Sequence, residues 1–191
     1  MMYEKMNILF LSNMMEEKGV YTLLDACKLL KAKEYPFECH FVGKWSDVSE
    51  DAFNKYVGDN QLTDFVFAHG AQYGADKEQY WSAANLFVFP TYYHNECFPL
   101  VLLEAMQHRV ACISTNEGGI ANIIDEGVTG YIVKAKDAVV LAEKIECCLQ
   151  DPERCHEMGR KGYEKFEREF TLDCFERNMK GILNLCYNTD I

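Results

Sequence analysis

The sequence predicts an α/β fold: a Rossmann-like, doubly wound parallel sheet with helices on both faces and two extra helices at the C-terminal end. Three observations carry that prediction. Short apolar runs recur along the chain, bounded by Gly, Pro or polar loops, as buried parallel strands require. Segments with apolar residues at helical spacing lie between them. The alternation holds to about residue 133, after which only helical patterns remain.

Residues 8–11, Ile-Leu-Phe-Leu, read as the first strand, and a polar loop over 12–19 leads to a helix opening near Val20. Val20, Leu23, Leu24, Cys27 and Leu30 share one face of that helix. Residues 38–42 form the second strand, closed by Gly43, and 48–56 a more polar helix. A third strand is expected over 64–68. Asp76, with Gln79 three residues on, reads as the N-cap of a short helix. The fourth strand, 86–89, is stopped by Pro90. A polar, aromatic loop then turns into a helix at about Phe98-Pro99, where Pro suits the first helical position. Strands over 110–114 and 131–133 flank a brief helix at 120–125. Ala138, Leu141, Ala142, Ile145 and Cys148 form an apolar helix face, with Cys147 beside them. Asp151-Pro152 starts a charged helix, and Thr171 caps a last one carrying Phe175, Met179, Ile182, Leu183 and Cys186 on one side. No repeat, low-complexity tract or linker interrupts the chain, so a single domain is expected.

With 191 residues, 49% of them hydrophobic and 26% charged, the chain has ample material for a core. A net charge of −11 argues against a nucleic-acid surface and against attraction to anionic lipid. Nine cysteines, odd in number and without a C-x-x-C, read as reduced core thiols of a cytoplasmic protein. No apolar run approaches the ~18–20 residues that a membrane span needs, so no direct membrane insertion is expected. The absence of Asp-x-Asp pairs and of His/Cys clusters at ligand spacing predicts no metal requirement. G-x-G-x-x-G, Walker and G-x-S-x-G motifs are absent too, which weakens NAD, ATP and serine-hydrolase readings.

Residues 86–119 organise the rest. Their helix runs Leu100-Val101-Leu102-Leu103-Glu104-Ala105-Met106, apolar but for one carboxylate. A buried glutamate without a partner costs several kcal/mol, so Glu104 faces water, pairs with a neighbouring cation, or meets hydroxyls or amides. Glu96 sits in the loop just before that helix. Two carboxylates therefore surround a helix N-terminus at the C-terminal end of a strand, where open parallel sheets bind ligands.

Asn-Glu-Cys-Phe-Pro-Leu-Val-Leu-Leu-Glu-Ala-Met at 95–106, with Pro-Thr-Tyr-Tyr before it and Gly118-Gly119 after, resembles the family 4 glycosyltransferases. These are retaining enzymes of the GT-B fold. The resemblance extends to Glu-Glu-Lys-Gly-Val at 16–20 and Gly-Val-Thr-Gly-Tyr-Ile-Val at 127–133. It covers nearly the whole chain, but only the C-terminal, donor-binding half of such an enzyme. It implies that Glu104 holds the ribose hydroxyls of a UDP- or GDP-sugar and that Glu96 meets the sugar near the reacting carbon. The diphosphate would rest on Lys18, Gly19 and the backbone N–H groups of Phe98, Leu100 and Val101, favoured by the helix dipole. Asn13 stands where the family carries an Arg and supplies a hydrogen bond without charge. Gly43 and the His69-Gly70 loop fall where the family cradles phosphates or base. Tyr92, Tyr93 and His94 flank Glu96. Arg109 and Ala111 replace a usual Gly and Pro, away from the donor.

The resemblance implies a sugar transfer from a nucleotide-sugar, in surface polysaccharide or lipopolysaccharide synthesis, completed by an N-terminal acceptor domain absent from this chain. Alone, the chain would transfer little or nothing. A non-catalytic nucleotide-sugar-binding module and an epimerase on the same fold stay open. So does an interaction role for the apolar face of the last helix, which would meet the acceptor domain or pair two copies into a homodimer.

Overall fold

The computed structural model describes residues 5–188, and the side chains of the last helix to residue 184. Six parallel strands form one sheet: β1 (Met6–Leu11), β2 (Phe37–Val42), β3 (Val66–Ala68), β4 (Leu86–Phe89), β5 (Ala111–Thr115) and β6 (Gly130–Val133). Their spatial order is β3-β2-β1-β4-β5-β6. The helices between them are α1 (Val20–Ala32), α2 (Glu50–Asp59), α3 (Gly74–Ala83), α4 (Leu100–Gln107) and α5 (Ile120–Ile123). Three more follow the sheet: α6 (Ala138–Gln150), α7 (Pro152–Glu169) and α8 (Leu172–Asn188). The expected doubly wound class is therefore the observed one.

The strands read as apolar runs because both faces of the sheet are covered. All four residues of β4 and all five of β5 are buried. Phe10, Phe41 and Phe89 link β1, β2 and β4 through ring contacts of 5.2 and 6.4 Å. Each buried side chain of this size contributes about 1.5–3 kcal/mol of transfer free energy. Six cysteines (27, 39, 112, 148, 155 and 174) lie buried and free, as expected of core thiols. Cys97 and Cys147 are free but exposed. Cys147 leaves the core face because adjacent helical residues point about 100° apart.

Several boundaries differ from the sequence expectation, each for a local reason. Helix α2 starts at Glu50 because Ser49 Oγ caps the N–H of Ala52 at 3.2 Å. Buried Val48 precedes that cap and buried Phe53 follows four residues later, the spacing of a hydrophobic staple. Strand β3 is shorter than expected because the N–H groups of Phe65 and Val66 turn back to Leu62 O. Asp76 is not the N-cap of α3. Gly74, at φ +53°, turns the chain into the helix from Tyr73, leaving Asp76 in the first turn. Pro99 is the N-cap of α4 rather than its first residue, at φ −72° and ψ 107°. The caps at Asp151 and Thr171 hold: Asp151 Oδ1 accepts from Arg154 N at 3.0 Å, and Thr171 Oγ1 from Cys174 N at 3.3 Å.

Candidate functional site

The strand order reverses between β1 and β4, so the chain leaves these neighbours in opposite directions and opens a crevice at their C-terminal ends. The loop after β1 brings Asn13, Lys18 and Gly19 there. The loop after β2 contributes Gly43, and the loop after β4 contributes Glu96 and the start of α4. Residues from three separate stretches thus meet at one edge of the sheet.

Lys18 and Glu96 are brought into contact. Lys18 Nζ lies 2.6 Å from Glu96 Oε2, with side-chain exposures of 14% and 10%. Thr91 Oγ1 donates to the same carboxylate oxygen at 3.3 Å. The ammonium also sits 4.4 Å from the centre of the Tyr93 ring and 5.6 Å from that of Phe89. An ion pair and two ring contacts fix this one cation at the mouth of the crevice. Tyr92 lies beside it with its hydroxyl 3.3 Å from Glu16 Oε1. Burial, with Glu16 next in effect, pushes the phenol up to about 12. His94 is exposed.

The glycines at this edge are demanded by packing. A Cβ on Gly43 would lie 1.7 Å from Ser12 O, and one on Gly19, whose φ is +87°, would lie 2.2 Å from Pro90 O. These two residues let the ends of β1, β2 and β4 press backbone against backbone. Gly43 N also donates to Gly70 O at 2.8 Å, tying in the loop after β3. Gly118 does the same for the carboxylate loop: its Cβ would fall 1.9 Å from Glu96 O. Gly119 N donates to Cys97 O at 2.6 Å. The Gly118-Gly119 pair therefore clamps the loop that carries Glu96.

At the start of α4, the N–H groups of Phe98, Leu100 and Val101 find no acceptor among the described residues, and no side chain caps the helix. Leu100 is 67% exposed, and the Phe98 ring rests 6.0 Å from Phe170. Free N–H groups at the positive end of a helix dipole favour an anion.

Glu104, one turn into α4, is half-buried and pairs with a neighbouring cation, which the sequence alone did not identify. Lys77 Nζ, on α3, lies 2.9 Å from its Oε2. Both helices begin at the C-terminal edge of the sheet, so their first turns are neighbours, which only the strand order reveals. Lys77 also lines a cleft of about 220 Å³ with Ser12, Asn13, Gly43, Lys44 and Tyr73. Asn13 is exposed on the rim of that cleft. His69, just before Gly70, hydrogen-bonds through Nε2 to His40 Nδ1 at 3.0 Å. Burial lowers the pKa of both histidines. Among the described residues no group of three or more His, Cys, Asp or Glu is placed to hold a metal ion. None of the described helices is long and apolar enough to cross a membrane.

A six-stranded parallel sheet of this order, with carboxylates, lysines and a free helix start at its switch point, is an α/β fold of Rossmann type. The chain belongs to the glycosyl transferases group 1 family, whose model matches residues 3–165. It is similar to the capsular polysaccharide biosynthesis glycosyltransferase CapM of Staphylococcus aureus, with 26% identity over 92% of this chain and 45% of that protein. It is also similar to the amylovoran biosynthesis glycosyltransferase AmsK of Erwinia amylovora, with 27% identity over 95% of this chain and 45% of that protein. The chain thus spans less than half the length of these curated relatives. Among solved structures, the sucrose-phosphate synthase of Thermosynechococcus elongatus superposes with a TM-score of 0.82 at 26% identity, over 98% of this chain and 47% of that one. The Anabaena protein HepE, solved with UDP and glucose, shares the fold with a TM-score of 0.82 at 19% identity, over 94% of this chain and 48% of that one.

Proposed function

We propose that this chain is the donor-binding half of a retaining glycosyltransferase that moves a hexosyl group from a UDP- or GDP-sugar to an acceptor in surface polysaccharide synthesis. The observation that carries the reading is the pair of carboxylates, Glu96 and Glu104, set around the open N–H groups of α4 at the sheet's switch point. Family membership and the polysaccharide roles named for its relatives support it, as does the UDP bound by HepE.

In this reading Glu104 accepts from the two ribose hydroxyls, a natural match for a carboxylate in an apolar helix. The diphosphate lies along the N–H groups of Phe98, Leu100 and Val101, with Lys18, Gly19, Asn13 and Gly43 around it. As the glycosidic bond breaks, negative charge builds on the departing diphosphate oxygen. Lys18 and the helix dipole, already aimed there, stabilise that charge. Glu96, beside Lys18, meets the sugar and offsets positive charge growing at the reacting carbon. The charge is met by protein groups, and no metal ion is required.

The acceptor belongs to a second domain, outside this chain. Phe175, Met179, Ile182 and Leu183 of α8 are exposed and face that domain in the whole protein. Binding of UDP or GDP by this chain, and not of ADP or NAD, tests the reading by calorimetric titration. Equal binding of all four, or of none, contradicts it.

A further inference from the structure

The cations at the site are not idle. Lys18 is paired with Glu96 at 2.6 Å, and Lys77 with Glu104 at 2.9 Å. The four side chains therefore sum to no net charge, in a protein whose total is −11. A diphosphate arriving at such a site meets no spare positive charge within these pairs. Asn13, on the same cleft, adds none. Lys44 also lines this cleft, and a paired lysine adds its own charge only by leaving its carboxylate.

Resting on the donor-site reading above, we propose that Lys77 is a diphosphate ligand held in reserve on Glu104 and released by the ribose. Two ribose hydroxyls donating to Glu104 satisfy the carboxylate that Lys77 otherwise neutralises. Lys77 carries its charge on a flexible four-carbon stem and already lines the cleft with Asn13 and Gly43. Turned into that cleft, its ammonium meets the phosphate next to the ribose, leaving Lys18 for the phosphate next to the sugar. The exchange is a selection device. A ligand with both ribose and diphosphate frees the cation it needs, whereas inorganic diphosphate or a sugar phosphate leaves Lys77 on Glu104. The site is thereby specific for an intact nucleoside diphosphate, and the specificity resides in Lys77 as much as in Glu104.

The test compares dissociation constants for UDP and uridine, or GDP and guanosine if the protein prefers guanine, by calorimetry or competition NMR. Wild type, K77M, K77R and K44M are measured, with thermal melts to confirm folding. Wild type should favour the diphosphate over its nucleoside and bind inorganic diphosphate poorly. K77M should cut the diphosphate-to-nucleoside preference at least fivefold, K77R should restore most of it, and K44M should keep it. Three results overturn the exchange: equal losses for UDP and uridine in K77M, which would mean that Lys77 only supports Glu104; no change in K77M; or loss of the preference in K44M alone. Wild type that binds neither UDP nor GDP contradicts the donor-site reading itself, a separate outcome.

Discussion

Lys18 Nζ and Glu96 Oε2 lie 2.6 Å apart, although the residues are 78 positions apart in sequence. The pair joins the loop after β1 to the loop after β4 across the switch point, and its two members are predicted to respond in opposite directions. Lys18→Met should weaken UDP or GDP binding by about 1–3 kcal/mol, the range for a charge-assisted hydrogen bond. Glu96→Gln removes a negative charge facing the incoming diphosphate and should leave affinity unchanged or raise it, by up to roughly tenfold. The same Glu96→Gln change in the whole enzyme should abolish most transfer. Nucleotide titration of both variants checks the contrast, and a large loss of affinity in Glu96→Gln would show that this carboxylate binds rather than reacts.

Because both side chains are mostly buried, the pair also bears on stability. Removing one partner of a buried ion pair leaves the other uncompensated, at a cost of roughly 3 kcal/mol or more. Lys18→Met should therefore lower the midpoint of urea unfolding, and Lys18→Met combined with Glu96→Gln should recover part of the loss. Additive losses in that double-mutant cycle would mean the two groups do not interact in solution.

Gly43→Ala is predicted to be the most damaging methyl addition at the site edge. Its Cβ would meet Ser12 O at 1.7 Å, a backbone atom that cannot swing aside. Overpacking of this kind costs about 1–3 kcal/mol or more. Gly58→Ala, where the added carbon meets nothing within 4 Å, is the control and should be neutral or slightly stabilising. Thermal melts of the two variants decide this, and equal midpoints would contradict the packing described.

The alternation of strands and helices and the Asp151 and Thr171 caps were legible in the sequence, because local pattern determines them. Pairings across the crevice were not. Glu104 showed its need for a partner as a lone carboxylate in an apolar run. Lys77 showed nothing, since the adjacency of α3 and α4 depends on the strand order rather than on any local signal. Gly43 reads in the sequence as a strand-ending glycine where the family cradles phosphates or base, and Gly118 as part of the Gly-Gly pair after the motif. Their tight contacts with Ser12 and Glu96 arise only when distant loops meet. Asp76 and Pro99 show the converse: both are good helix-start residues, yet the backbone turn at Gly74 and the extended geometry at Pro99 shifted where the helices begin.

The histidine pair gives a pH prediction. Burial depresses the folded-state pKa of His40 and of His69 below the ordinary 6.5. As pH falls through 6.5, the unfolded chain therefore binds more protons than the folded one, and stability declines. Stability from this pair is fully present above about pH 7 and falls until pH drops below the folded values. Glu38, beside His40, is held below the usual carboxylate range by its hydrogen bond from Lys5, so its own effect appears only at lower pH. The melting temperature should drop between pH 7.5 and 5.5, and His40→Asn with His69→Asn should flatten that slope. An unchanged slope would place the titration elsewhere.

The proposed donor site rests on the grip of Glu104 on the ribose of a nucleotide-sugar. It is tested most directly by a cycle that pairs Glu104→Gln with the 2′,3′-dideoxy analogue of UDP, or of GDP if guanine is preferred, measured by titration calorimetry. If Glu104 accepts from the ribose hydroxyls, the variant loses affinity for the natural nucleotide, by about 1–3 kcal/mol, and little or none for the analogue. If the losses are equal for both ligands, Glu104 does not touch the ribose, and the donor site at this switch point is wrongly built.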